Sequence, residues 1–240
     1  MPDATSALAR KLGRFATLRF DEIAAIAALQ LRRRRVAAGT EIFHEREARH
    51  RAFIVQDGWA SSYKVLRDGG RQVIDFAVPG DFMGLRSVLL RNSDHAAAAV
   101  TDITIAEVSV PQMLDTFRRL PRLGTAVLWA ASRDEATVVE HMVGIGRRDA
   151  LSRTAHFFLE FRLRLQLVGL GSDAGYACPL SQYLLADALG LTAIHLNRVL
   201  RQLRERSLLT FRDGSVVFHD LAGLQRLSGY DGGYLDQGAV

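Results

Sequence analysis

The sequence predicts an α+β protein with an N-terminal β-roll of the jelly-roll type, a long dimerisation helix and a C-terminal winged helix-turn-helix domain. Three observations predict this order. Short apolar segments separated by turn residues fill 36–110, a long helical pattern starts at Pro121, and two short helices joined at Gly190 precede a β-hairpin. We expect five segments in this order: a helical lead-in at 1–31, the β-roll effector domain at 32–120, the long helix with its hinge at 121–146, the winged domain at 147–228 and a flexible tail at 229–240.

Composition allows two modest domains and excludes several classes of site. The chain has 240 residues, is 48% hydrophobic and carries a net charge of +5, from 31 Lys and Arg against 26 Asp and Glu. This excess permits a nucleic-acid partner without requiring one. The single cysteine excludes an internal disulfide and an iron–sulfur cluster held by several cysteines of one chain. Neither a membrane-spanning apolar run nor a signal-peptide core is present, so we expect a cytoplasmic protein without a membrane partner.

The first 110 residues predict a short helical segment and then a barrel of short strands. Asp21 is expected to cap a helix in the lead-in, and the four-arginine run 32–35 is expected at an exposed strand or helix end. The strand-like segments are 42–43, 53–55, 59–66, 73–78 and 103–110. The interior of such a barrel can hold a small ligand.

The long helix carries an apolar stripe at three- and four-residue steps, interrupted by Asp134 and Thr137. The stripe consists of Leu123, Val127, Ala130, Ala131, Val138, Met142 and Ile145. Two interpretations are open, namely packing on the helix's own barrel and a coiled-coil-like seam with a second copy, and we favour the seam. The Gly-Ile-Gly sequence at 144–146 is expected to break the helix and form a hinge.

The pair of short helices has the spacing of a helix-turn-helix motif. With Gln182 as position 1, Gly190 falls at position 9, where the chain must reverse its direction. Ser181 and Thr192 are expected to cap the two helices. The inward-facing positions are all apolar: Leu185, Leu189, Leu191, Leu196 and Val199.

The second helix of the pair has a polar and basic outer face that suits the major groove of DNA. This face is formed by His195, Asn197, Arg198, Arg201, Arg204 and Arg206. The following hairpin, with strands at 208–211 and 215–218, is interpreted as a wing whose tip residue Arg212 reaches the phosphate backbone. An ordinary helical hairpin with a solvated basic face is the alternative. Asp149 and Asp220 are expected to cap the flanking helices, and the glycine-rich tail is expected to be mobile.

A β-roll, a long helix, a hinge and a winged helix-turn-helix, in that order, resemble the Crp–Fnr family of bacterial transcription regulators over about 20–228. The most specific match is 188–203, ALGLTAIHLNRVLRQL, and looser matches are 39–43, GTEIF, and 78–84, VPGDFMG. The resemblance implies a homodimer on a two-fold-symmetric operator in double-stranded DNA. It also implies RNA polymerase as a partner and an effector in the barrel that acts through the long helix.

The resemblance also implies roles for single residues. Arg198 matches the family's recurrent base-reading arginine, which forks onto guanine. Ala193 and Ile194 stand where other members have base-reading polar residues, so they offer only apolar contact, for example with a thymine methyl group. The full set of expected DNA-contacting residues is Ser181, Thr192, Ala193, Ile194, His195, Asn197, Arg198, Arg201 and Arg212.

The effector is not expected to be cyclic AMP. Cyclic-nucleotide members have a glutamate after the glycine that matches Gly84 and an adjacent Arg-Ser pair for the phosphate. Here Leu85 follows Gly84, and the Arg-Ser site falls near His95 and Ala96, although Arg86 is close enough to substitute. Haem with a ligand among His44, His50 and His95 is a further hypothesis, and surface histidines are the favoured interpretation.

Two further hypotheses come from the residues themselves. Cys178, just before the reading helices, is either a redox-sensitive thiol that blocks DNA binding when oxidised or a small filler residue, which we favour. The whole protein is alternatively an effector-binding module that docks a protein partner through its helical end. An enzyme is not expected, because there is no phosphate-binding loop, no H-E-x-x-H helix and no histidine motif partnering the cysteine.

Overall fold

The computed structural model describes residues 6–47, 51–90 and 92–235. The described chain divides into two compact units. The N-terminal unit contains 6–64 and 75–134, and the C-terminal unit contains 65–74 and 135–235. No described helix is long and apolar enough to cross a membrane.

The N-terminal unit begins with two helices that pack against the roll. Helix α1 spans Ala7–Gly13 and helix α2 spans Phe20–Leu29. The expected cap at Asp21 is wrong, because the N-cap of α2 is Arg19, two residues earlier. The Arg19 backbone N–H donates to Glu22 Oε2 at 2.7 Å, which leaves Asp21 in the first turn of the helix.

In the part of the roll that the structure describes, eight strands form two sheets with the orders β1-β8-β3-β6 and β2-β7-β4-β5. All five strand-like segments are confirmed, and β1, β6 and β7 are additional. The strands are β1 Arg33–Val36, β2 Glu41–Phe43, β3 Arg51–Asp57, β4 Ala60–Val65, β5 Arg71–Ala77, β6 Phe82–Met83, β7 Ala96–Ala99 and β8 Ile103–Ser109. Apolar side chains that alternate along these strands fill the roll, chief among them Phe43, Phe53, Met83 and Ile105.

Helix α3 spans Val110–Arg119 and helix α4 spans Pro121–Arg147. The expected helix break at 144–146 is wrong, because α4 continues through both glycines and ends at Arg147. The Arg153 guanidinium donates to the carbonyl oxygens of Gly144 and Ile145, at 3.4 and 3.1 Å, and so stabilises this last turn.

The two halves of the α4 stripe have different neighbours. Leu123, Val127 and Ala130 are buried in the N-terminal unit with α1, α2 and the outer faces of β3 and β8, so this part of the predicted seam is wrong. Asp134 interrupts the stripe because it accepts a hydrogen bond from the buried Lys11 ammonium at 3.3 Å. Farther along α4, large apolar side chains remain exposed: Val138, Val139, Met142, Val143 and Ile145.

The C-terminal unit surrounds helix α5, which spans Ala150–Leu167 and is capped by Asp149 as predicted. Strand β9 Gly175–Ala177 follows, and then α6 Gln182–Leu189, α7 Ala193–Glu205, β10 Leu209–Arg212, β11 Ser215–Phe218 and α8 Leu221–Ser228. The three strands form a sheet in the order β10-β11-β9. The predicted cap of α8 is also confirmed, because Asp220 Oδ1 accepts from the Gly223 N–H at 2.8 Å.

Residues 229–235 of the C-terminal tail differ from the mobile segment that its glycine content predicts, and 236–240 lie outside the described residues. Within 229–235, Tyr230 and Leu235 are buried, and Gly232–Tyr234 forms a 3-10 turn capped by Asp231. Buried aromatic and aliphatic side chains therefore hold this part of the tail.

Candidate nucleic-acid interface

Helices α6 and α7 form the predicted helix-turn-helix, and both predicted caps are confirmed. Ser181 Oγ accepts from the Leu184 N–H and Thr192 Oγ1 accepts from the His195 N–H, each at 3.2 Å. Gly190 ends α6 in the left-handed conformation with φ of 60°. This conformation lets the chain reverse within a few residues, and it is strained for residues that carry a Cβ.

The inner faces of the two helices are buried as the spacing predicts. Leu185, Ala186 and Leu189 of α6 and Leu196 and Val199 of α7 are buried, and the predicted inward residue Leu191 is half-buried. Because these contacts fix α7 against α6, the opposite face of α7 has a defined direction and is solvent-exposed.

The exposed face of α7 carries the predicted reading residues. Ile194 is 71% exposed, and His195, Asn197, Arg198 and Arg201 are also exposed, whereas Ala193 is half-buried. Among the described residues, Arg198 has no hydrogen-bond or ion-pair partner, so its guanidinium is available to a ligand. Arg201 is paired with Glu205 of the next turn at 3.4 Å.

Two residues of α6 that the sequence analysis does not single out also belong to this surface. Gln182 Oε1 accepts a hydrogen bond from Asn197 Nδ2 at 3.1 Å, which ties the first turn of α6 to the reading helix. Tyr183 is 74% exposed in the same turn. The sequence signal for these two residues is a polar and an aromatic residue directly after a helix cap. Such residues can contact DNA because the first helix of the motif crosses the DNA backbone.

The hairpin after α7 is short and tightly turned. Asp213 and Gly214 both have positive φ, 51° and 71°, as a two-residue turn between antiparallel strands requires. Arg212 is exposed at the tip and lies 3.3 Å from Asp213 Oδ2. Strand β9 pairs with the other side of β11, so the wing belongs to a three-stranded sheet.

Cys178 lies inside this unit and is 1% exposed. Its backbone N–H donates to the Gly214 carbonyl oxygen at 2.7 Å. Burial raises the pKa of the thiol to about 12, against a smaller lowering by a backbone hydrogen bond at Leu180. A buried thiol that stays protonated at neutral pH favours the filler interpretation over the redox one.

The residues expected around an effector in the roll do not line an open polar site. Gly84 has φ of 64°, and a Cβ on it would stand 3.8 Å from the ring of Phe43. Leu85 packs into the apolar core outside the roll, and Ala96 is buried in β7. The Phe43 ring lies 6.1 Å from the ring of Phe53, and both are buried, so aromatic side chains occupy the interior beside Gly84.

The two polar candidates are paired with one carboxylate. Arg86 Nη1 and His95 Nδ1 lie 2.8 and 2.7 Å from the two oxygens of Asp94. The His95 ring also meets Phe43 edge-on at 5.5 Å. Among the haem candidates, His44 is exposed and lies 2.7 Å from Glu41 Oε1, and His50 lies outside the described residues.

A capped reading helix with an exposed basic face, packed beside a wing, defines a winged helix-turn-helix DNA-binding protein, and the N-terminal unit adds a β-roll. The family model "Cyclic nucleotide-binding domain" matches residues 33–119, and "Crp-like helix-turn-helix domain" matches 152–227. The chain belongs to the Crp–Fnr family and is a DNA-binding transcription regulator, not an enzyme.

The relatives that support this placement include two proteins called nitrogen fixation regulation protein FixK. The one from Rhizobium meliloti is 30% identical and the match covers 75% of this chain and 78% of the relative. The one from Bradyrhizobium diazoefficiens is 29% identical over 82% of each chain. The solved structure of FixK2 from Bradyrhizobium japonicum has a TM-score of 0.75 and 27% identity, covering 83% of this chain and 98% of that one.

Proposed function

We propose that the protein is a homodimer that reads a two-fold-symmetric DNA operator with α7 and does not use cyclic AMP as its effector. The observation that carries the proposal is the exposed basic face of α7, which two side-chain caps and a buried inner face hold in place. One copy reads one half-site, and two copies read a symmetric pair about one helical turn apart.

Within each half-site, Arg198 is the principal base reader and forks onto a guanine in the major groove. Ile194, exposed one turn earlier, contacts a thymine methyl group, and Ala193 and His195 lie beside it. Asn197 is held by Gln182 and so supports the angle between the helices as well as contacting DNA. Phosphates are contacted by Ser181 and Thr192 at the helix N-termini, by Arg201 and by Arg212 at the wing tip.

The exposed positions of α4 supply a seam for the second copy. They recur at 125, 128, 132, 135, 139, 142 and 146, which is the alternating three- and four-residue step of a coiled coil. Leu128 and Met142 on this seam are each 66% exposed in the single chain. Large apolar side chains in such a row are characteristic of an interaction surface, and family members are usually dimers.

The dimer seam is tested by placing a charge on it. Met142→Asp is expected to shift the protein to monomers in sedimentation velocity, because the carboxylate would face the seam of the partner. Arg147→Asp introduces the same group about 140° round the helix and is expected to leave the dimer intact. A dimeric Met142→Asp protein would overturn the seam.

The filled roll supports control without a cyclic nucleotide. Phe43 and Phe53 fill the interior beside Gly84, and the two polar candidates, Arg86 and His95, are both engaged by Asp94. An anionic phosphate placed there would lose its strongest type of partner. Isothermal titration with cyclic AMP is expected to show no binding, and saturable binding would contradict this part of the proposal.

An exposed basic cluster on the roll suits contact with an acidic surface of RNA polymerase. Arg32, Arg34 and Arg51 surround Glu107 at 3.5, 3.3 and 3.2 Å. Three guanidinium groups against one carboxylate leave two positive charges, and all three arginines are exposed or half-exposed. Charge complementarity of this kind directs encounter with a protein partner.

This cluster is tested by in vitro transcription from a promoter with an adjacent operator. The pair Arg32→Ala and Arg34→Ala is expected to keep operator affinity and to reduce stimulation of RNA polymerase. The pair Arg118→Ala and Arg119→Ala removes two exposed arginines of α3 and is the matched control. The polymerase contact would be contradicted if the natural protein gave no stimulation, or if the natural protein and the two double variants gave equal stimulation.

The main proposal is tested by selecting bound duplexes from genomic fragments with purified protein and no added ligand. A two-fold-symmetric motif is expected. On that motif, Arg198→Ala should weaken binding by about 1–3 kcal/mol and change non-specific binding little. Arg226→Ala, which removes an exposed arginine of α8 outside the reading face, is the control. Recovery of no motif would overturn the proposed function, and equal loss on all sequences would mean that Arg198 contacts phosphate.

A further inference from the structure

The segment after α8, residues 229–235, folds back onto α5. Gly229 ends α8 with φ of 62°, and Tyr230 and Leu235 are buried. Gly232 passes so close to α5 that a Cβ on it would stand 2.6 Å from Leu163 Cδ1. The tail therefore follows the helix surface so closely that a Cβ at this position would make the Leu163 or Tyr230 side chain shift.

The tail delivers a hydroxyl group to a buried carboxylate. Tyr234 OH donates to Glu160 Oε2 at 2.7 Å, and Glu160 is 0% exposed. Burial by itself raises the pKa of Glu160, but His141, Arg164 and the Tyr234 hydroxyl together lower it to about 2. The carboxylate is thus charged at neutral pH, and a buried charge needs its donors in place.

The donors to Glu160 come from three elements of the C-terminal unit. His141 Nε2, on the last turns of α4, lies 3.0 Å from Glu160 Oε1. Arg164 Nη1 lies 3.7 Å from the same oxygen, one turn farther along α5. Tyr234 supplies the third donor from the tail. Glu160 therefore stands where the end of α4, helix α5 and the tail meet.

A second contact joins the same three elements. Glu140 of α4 accepts a hydrogen bond from Arg148 Nη2 at 2.6 Å and lies 3.5 Å from His156 Nε2 of α5. The His156 ring in turn meets Tyr230 edge-on at 4.8 Å and stacks on Tyr234 at 6.1 Å. The tail covers two of the α5 side chains that contact the end of α4, Glu160 and His156.

We propose that residues 229–235 are a clasp that fixes the angle between α4 and α5, with Tyr234 as a positioning residue for DNA binding that acts through Glu160. The inference rests on the proposed function. A dimer joined along α4 must present its two reading helices about 34 Å apart, so the angle at which α5 leaves α4 sets their spacing. A loosened clasp affects this spacing and leaves each reading face intact.

The test compares binding to two duplexes. Tyr234→Phe removes only the hydroxyl group, and Gly232→Ala places a Cβ against Leu163 at 2.6 Å and against Tyr230 OH at 3.2 Å, so these side chains must shift. Gly233→Ala is the matched control, because the atoms nearest to its Cβ would belong to the rotatable Asp231 carboxylate, at 3.2 Å or more. On the selected symmetric operator, Tyr234→Phe and Gly232→Ala should weaken binding about five- to tenfold, within the range of a typical net hydrogen bond. On a duplex with one half-site the change should stay under about twofold.

A second measurement needs no DNA. Amide hydrogen exchange of residues 135–147 should be faster in Tyr234→Phe and Gly232→Ala than in the natural protein and in Gly233→Ala. Unchanged exchange, or equal loss on the symmetric and single-site duplexes, would overturn the clasp. If the natural protein selects no operator, the proposed function fails, and the exchange measurement still decides whether the tail holds the end of α4.

Discussion

The interior of the β-roll and the interior around α5 are built from different chemistry. An apolar cluster with Phe43 and Phe53 among its largest members fills the roll, and Ser61 is the buried polar side chain on its described strands. Helix α5 buries polar and charged groups along its length, among them Thr154, His156, Glu160, Arg162 and Arg164. Apolar packing has no preferred direction, whereas buried hydrogen bonds and ion pairs fix the elements that supply them.

The two interiors therefore suit different roles in the protein. Apolar packing holds the shape of the roll, whose sequence matches the cyclic nucleotide-binding domain. The core around α5 holds the end of α4, the tail and the reading helices in one arrangement. A DNA-binding dimer needs this directional precision near its reading helices more than in its roll.

The largest expected effect tests whether packing alone holds the roll. Phe43→Ala should lower the free energy of unfolding by about 3–5 kcal/mol, because it removes a buried ring and leaves a cavity beside Gly84. Urea denaturation measures the change, and Phe20→Ala, which truncates a ring that is 75% exposed, is the control. A loss under about 1 kcal/mol would mean that the interior rearranges easily and is open to ligands.

The next largest effect concerns the buried charge of the N-terminal unit, which lies outside the roll interior. Lys11 Nζ is 2.7 Å from Asp81 Oδ1 and 3.3 Å from Asp134 Oδ1. Lys11→Met should cost about 3 kcal/mol in the free energy of unfolding, because it removes a buried ion pair with the Asp81 carboxylate. Arg10→Met, on the exposed side of α1, is the control. Equal stability of the two variants would show that this unit tolerates unpaired buried charge.

Local chemistry explains which features the sequence predicted. Ser181, Thr192, Asp149 and Asp220 each cap a helix through a hydrogen bond to an N–H three residues on, and such a bond depends only on near neighbours. The strands rich in β-branched and aromatic residues are likewise predicted from their own local sequence. Strand β7, Ala96–Ala99, was missed because four alanines carry no strand signal and pair only through their partners β2 and β4.

The wrong predictions depend on contacts between residues far apart in the sequence. Glycine at 144 predicts a helix break, but the Arg153 side chain satisfies the carbonyl oxygens of the last α4 turn. The tail composition predicts mobility, but Tyr234 reaches Glu160, 74 residues away. On α4, apolar residues line more than one side, and periodicity alone does not tell which side meets the helix's own roll.

A smaller effect distinguishes the two interiors by their response to acid. Burial lowers the pKa of His156 from 6.5 to about 4, Arg148 adds to the lowering, and Glu160 and Glu140 oppose it. The unfolded chain therefore binds a proton more readily than the folded one, and stability falls as the pH drops below 6.5. The loss from His156 should reach about 2 kcal/mol at pH 5.

Denaturation of the whole chain at pH 7 and pH 5, followed by hydrogen exchange to separate the units, measures this effect. His156→Phe keeps an aromatic ring between the tail tyrosines and should flatten the dependence of the C-terminal unit between pH 6.5 and 5. Glu160, with its pKa lowered to about 2, adds a further loss only below about pH 4.5. An unchanged pH profile in His156→Phe would remove His156 as the cause.

The smallest expected effect concerns Cys178, a buried residue of the C-terminal unit. Cys178→Ala should cost about 1 kcal/mol of stability, as expected for losing one buried heavy atom. Because the buried thiol has its pKa raised to about 12, peroxide should attack it slowly, and operator binding by the natural protein should survive a mild treatment. Loss of binding in the natural protein but not in Cys178→Ala would instead make this residue a redox switch. In that outcome the C-terminal unit must open far enough to expose the thiol, and the roll would be the more firmly held of the two regions.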